Sequence, residues 1–149
     1  MNRVAALLAG SWLGMQAMGY VVAPVLFSRL ERLEAGYIAG VVFAVNAYFG
    51  LLAWALVYWV LHREDGYVFY RSSNRLIKQG VGVLLVLLAI NQFLITPVIE
   101  AHKNQLDYWL LNLIGGSFAA WHGASSIVYL LSSVLGLVLL LRLLNLKTH

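Results

Sequence analysis

Four apolar stretches, at about 4–27, 36–61, 78–98 and 119–144, divide the 149-residue chain. A helix crosses the ~30 Å hydrocarbon layer with about 20 mostly apolar residues, and each stretch is long enough to do so. The polar segments between them are short. The chain therefore predicts an all-α, polytopic membrane protein: one domain, built as a four-transmembrane-helix bundle. Its composition agrees, with 11% charged residues where soluble domains carry roughly 25%. The first stretch is far longer than the 7–15 residues or so of a secretory apolar core, and no A-x-A cleavage site follows it. It is expected to stay as a span. The absence of cysteine excludes disulfides, thiolate catalysis and cysteine-ligated metals.

Orientation follows from the basic residues. With four spans, both termini and the second connection share one side. That side holds Arg3, Arg63, Arg71, Arg75, Lys78, Arg142 and Lys147, whereas the other holds Arg29, Arg32 and Lys103. Lys and Arg accumulate on cytoplasmic loops, so both termini are expected in the cytoplasm. The +4 net charge belongs to this bias. With no long run of like charges, nothing points to nucleic acid.

The connections carry helix-boundary signals. Ser28 and Glu31 have capping-box spacing, which predicts a second helix from near Arg29. Ser72, Ser73 or Asn74 is suited to cap the third. "YWLLNLI" (108–114) is apolar but too short to span. It either lies along the interface, anchored by Tyr108 and Trp109, or extends the fourth helix outward, with Gly115-Gly116 as the break. Pro24 and Pro97 each remove a helical hydrogen bond. They either kink or end their helices, or free carbonyls to line a cavity.

Helices in lipid approach through small residues. Gly10 with Gly14, and Gly36 with Gly40, have GxxxG spacing, suited to packing within the bundle or to a homo-oligomer. Polar side chains inside the spans should meet one another or water, because hydrocarbon penalises unpaired dipoles. Those side chains are Gln16, Asn46, Asn91, Gln92, His122, Ser125, Ser126 and Tyr129. The last four lie at i, i+3, i+4 and i+7, along one helical stripe. They predict either a binding pocket in the outer half of the membrane, anchored by His122, or an inert clasp between helices. Met15 and Met18, one turn apart, would join His122 as soft ligands for copper(I), although methionine is also ordinary core filler. A b-type haem wants two histidines within the membrane. Only His122 qualifies, with His62, His102 and His149 placed in loops or the tail, so haem is less favoured than copper. No phosphate-binding loop, G-x-S-x-G or HExxH motif is present, and no catalytic residue is assigned.

"GSWLGMQAMGYVVAPVLFSRLERLEAGYIAGVVF", "NQFLITPVIE" and "WHGASS" resemble a bacterial membrane family of unknown function, domain of unknown function 4149. That family is shared with the eukaryotic transmembrane protein 205 group and is distantly similar to the copper-resistance D membrane domain. The family pattern often has asparagine seven residues after the histidine, where this chain has Tyr129. The resemblance implies a four-helix protein of the inner membrane, with drug resistance associated with the eukaryotic relatives and copper with the distant ones. Two roles are expected: small-solute or metal handling through the pocket around His122, or a non-catalytic accessory or assembly subunit of a larger membrane complex. An enzyme ranks behind both.

Overall fold

The computed structural model describes the backbone of residues 2–63 and 71–145 and the side chains of residues 3–63 and 75–144. The suggested caps Ser72, Ser73 and Asn74 lie outside the described side chains, and His149 lies outside the described residues. The elements are α1 (Asn2–Arg29), α2 (Arg32–Arg63), α3 (Arg71–Ile90), a π turn (Asn91–Ile95), α4 (Thr96–Asn104), α5 (Trp109–Ile114) and α6 (Phe118–Asn145). Among the described residues, four helical stretches are long and apolar enough to cross a membrane, the third formed by α3, the π turn and α4 together. At 28 residues, α6 is about 42 Å long, which exceeds the hydrocarbon layer alone.

The spans form a ring in which α1 packs on α2 and α6, and α3 packs on the same two. Residue pairs give the register. Trp12 meets Gly50 and Gly136, and Gln16 meets Asn46 and Ser133. Numbers that rise along α1 thus fall along α2 and α6, so neighbouring helices are antiparallel. The largest apolar core gathers Ala5, Ala9, Trp12, Val57, Leu61, Ile77, Leu84, Leu139 and Leu143. All of these come from the half of the bundle that holds both ends of the chain.

Trp12 is fully buried at the centre of this core and meets Trp54 edge to face at 5.7 Å. It fits because its neighbours lack side chains. A Cβ on Gly50 would overlap the indole nitrogen, and one on Gly136 would stand 2.5 Å from Cζ3. Gly19 gives Tyr129 and Phe43 the same room, and Gly80 accommodates Leu139. The GxxxG glycines stand elsewhere. A Cβ on Gly10, Gly14 or Gly36 would meet nothing within 4 Å, and one on Gly40 would touch only the tips of Glu100 and Lys103 at 3.8 Å. Spacing alone does not say which face of a helix turns inward. The indole-sized neighbour does.

Several boundaries differ from the sequence expectation for local reasons. The Leu30 amide still bonds to Leu26 O, and the Ser28 hydroxyl donates back to Val25 O at 2.8 Å. Ser28 thus closes α1 instead of capping α2, which starts at Arg32 with the Ala35 amide on Glu31 O. Pro24 sits inside α1 without ending it. Pro97 follows the π turn, where Asn91 O takes both the Thr96 amide and, at 2.9 Å, the Thr96 hydroxyl. A proline has no N–H to offer its helix, and the wider turn before it changes which carbonyls are paired. Residues 108–114 neither span nor extend α6. They form the separate short helix α5, held by buried Leu110 and followed by Gly115 and Gly116 at φ 70° and 100°. These left-handed values suit glycine. The Trp121 indole then donates to Gly115 O at 2.9 Å, and Ser117 caps α6 by accepting the Ala120 amide.

Candidate functional site

One turn beyond Trp12, the interior becomes polar. Gln16 on α1 is buried, and its amide joins three helices. Its Nε2 donates to Ser133 Oγ at 2.9 Å and to Tyr129 O at 3.3 Å, both on α6, while its Oε1 accepts a short bond from Asn46 Nδ2 on α2. Tyr129 returns the contact, its hydroxyl donating to Gln16 O at 2.7 Å. Ser133 donates to Tyr129 O at 2.8 Å and lies 3.0 Å from the Tyr20 hydroxyl. Since the Ser133 proton is committed, Tyr20 is the donor in that pair. The Tyr129 ring is packed edge to face by Tyr20 and Phe43, both at 5.2 Å.

Both protons and the carbonyl oxygen of the Gln16 amide are thus engaged. Ser133 accepts two bonds and gives one, the full capacity of a hydroxyl. Asn46 Oδ1 is different, being buried with no hydrogen-bond partner among the described residues. The cluster contains no charged group. It reaches the bundle surface at Tyr20, which is 47% exposed.

Of the residues singled out from the sequence, Gln16, Asn46 and Tyr129 come together. Ser133 belongs with them, although it is not among the polar residues singled out from the sequence. The available signal was its place one turn after Tyr129. His122 does not join. It is exposed, with its ring parallel to Phe118 at 5.8 Å. Ser126 is also exposed and spends its hydroxyl on His122 O at 2.9 Å within the same helix. Ser125 is half-buried, away from the cluster's bonds. The i, i+3, i+4, i+7 stripe is therefore split: His122 and Ser126 face outward, and Tyr129, two turns on, reaches Gln16. Asn91 lies in the π turn, with a buried Oδ1 that has no partner among the described residues, and Gln92 is half-buried beside it.

The proposed copper ligands are not assembled. Met15 and Met18 are 37% and 57% exposed, on faces of α1 other than the one carrying Gln16. No group of three or more His, Cys, Asp or Glu side chains suited to a metal occurs among the described residues. His102 lies in α4 and His62 in the last turn of α2, not in loops. His102 meets the Phe118 ring edge-on at 6.4 Å, so Phe118 touches both His102 and His122. Glu100 pairs with Lys103 at 2.8 Å, not with His122.

No curated protein and no solved structure matches the chain. A family model, "Domain of unknown function (DUF4149)", matches residues 7–107. The matched region contains Gln16, Asn46, Asn91 and Gln92, whereas His122, Tyr129 and Ser133 follow it. With four long apolar helices among the described residues and a family match over most of its length, this chain is a multi-pass membrane protein of the DUF4149 family.

Proposed function

We propose that this protein is a non-catalytic accessory or assembly subunit of a larger complex in the bacterial inner membrane, with both termini in the cytoplasm. The observation that carries this reading is the closure of the Gln16 amide by α2 and α6. A side chain whose donors and acceptor all serve neighbouring helices acts as a clasp, leaving none of them for a ligand. The orientation rests on the excess of Lys and Arg on the side that holds both termini and the second connection, where it is concentrated in that connection. An apolar exterior, including Leu7, Val21, Val86 and Leu130, is the surface that lipid or a partner's spans would cover.

A second reading, small-solute handling, is favoured by one observation: Asn46 Oδ1 is a buried acceptor free of protein donors among the described residues. A copper-based version would have to draw Met15 or Met18 round to His122. Purification in a mild detergent, with copper content and particle mass measured together, separates these readings. The accessory role predicts a complex of constant stoichiometry, heavier than the 16.5 kDa chain and unchanged in His122→Ala. A lone chain binding one copper, lost in His122→Ala, overturns it.

A further inference from the structure

The two amides of the clasp have fixed orientations. Reversing Gln16 would set its Oε1 against the Tyr129 carbonyl oxygen, which now receives Nε2. Gln16 Oε1 must therefore face α2, where it takes the N–H of Asn46. That bond in turn fixes Asn46: Nδ2 points at Gln16, and Oδ1 points away from it. Oδ1 is buried and unpartnered among the described residues.

A complementary group lies one turn along. Trp12 Nε1 is also buried without a partner among the described residues, and it abuts the backbone of α2 at Gly50. Trp12 precedes Gln16 by four residues on α1, and Gly50 follows Asn46 by four on α2. Donor and acceptor are thus carried by residues one helical turn apart on each of the two packed helices, about 5.4 Å along the axis. A direct N–H···O bond is about 2.9 Å long, whereas two such bonds meeting at one oxygen with a tetrahedral angle span about 4.7 Å. Water is the smallest molecule that accepts from an indole N–H and donates to an amide oxygen at once, and buried waters typically serve polar groups that lack protein partners.

We propose that a single internal water bridges Trp12 Nε1 and Asn46 Oδ1, making the clasp a hydrated joint between α1 and α2. This inference is independent of the accessory role. The site takes water or a neutral molecule of similar size, because the indole and the carbonyl bring no net charge. Gly50 lets the indole nitrogen lie directly against α2.

The test is water-selective NMR on protein labelled with ¹⁵N in its indoles and held in lipid nanodiscs, with Trp12→Phe used to assign the signal. The wild type is expected to show direct cross-relaxation between the Trp12 indole proton and water, with the sign of a residence longer than nanoseconds. Asn46→Ala and Gly50→Ala should each weaken or abolish it. Absence of the cross-peak in the wild type overturns the proposal whether or not the variants fold. A wild-type cross-peak that persists unchanged in folded Asn46→Ala also overturns it, because the water would not then need the amide.

Discussion

At the scale of single residues, Gln16 and His122 make opposite uses of polarity in a membrane. Five hydrogen bonds tie α1 to α2 and α6 through Gln16, Tyr129 and Tyr20. At an average near 0.6 kcal/mol for such bonds in membranes, they contribute about 3 kcal/mol. Gln16→Leu removes three of them and leaves the Asn46 amide buried without its partner, an extra cost of roughly 1–3 kcal/mol. We expect a loss of about 3–5 kcal/mol in reversible unfolding in bicelles. Tyr129→Phe removes one bond but keeps the ring contacts, and should cost only about 0.6 kcal/mol in the same measurement. His122→Ala, at an exposed position that stacks on Phe118, should stay within about 0.5 kcal/mol of wild type. A large loss there would mean that His122 has a partner beyond that ring. The sequence carried part of this contrast. Gln16, Asn46 and Tyr129 were recognisable as interior polar groups because lipid penalises them. His122 was not distinguishable from them, because a helical stripe is wide and its outer end can turn away from the interior that its inner end enters.

At the scale of helices, the determinant is where a bulky side chain meets a missing one. Trp12 is wedged between Gly50 and Gly136, so Gly50→Val or Gly136→Val must push the indole or the helix aside. Overpacking of this kind costs about 1–3 kcal/mol. Gly14→Val adds its methyl groups where a Cβ meets nothing within 4 Å, and should be nearly neutral in bundle stability. Thermal denaturation in detergent, comparing the three variants, checks the order. If Gly14→Val were the most damaging, a contact outside the single chain would be responsible. The four spans themselves were legible because their apolar runs are long. The π turn was not, because a wider turn leaves no compositional mark beyond the proline after it. The end of α1 was misjudged for a related reason: Ser28 can bond forward as a cap or back to Val25, and residue identity does not choose between them.

At the scale of the whole molecule, the bundle has two unlike halves. The half with the chain ends holds the large apolar core, and the other holds the π turn and the short helix α5. The clasp lies between them at mid-length of α1, α2 and α6, not in the outer half expected for a pocket around His122. Since the chain has no cysteine, single cysteines report topology without background. Leu33→Cys and Leu113→Cys sit at the α1–α2 corner and on α5, where the native leucines are 90% and 75% exposed. Both should react with a membrane-impermeant maleimide added to spheroplasts, while Arg3→Cys should react only after lysis. The reverse pattern would invert the orientation. The ring has a further consequence for biogenesis. α1 is made before the two helices that pack on it, and those two, α2 and α6, are made far apart in time. Asn46 arrives as soon as α2 emerges, whereas Tyr129, Ser133 and Gly136 arrive only with α6. Until α6 emerges, α1 must wait in the bilayer with half its amide unanswered and one side of its indole facing lipid.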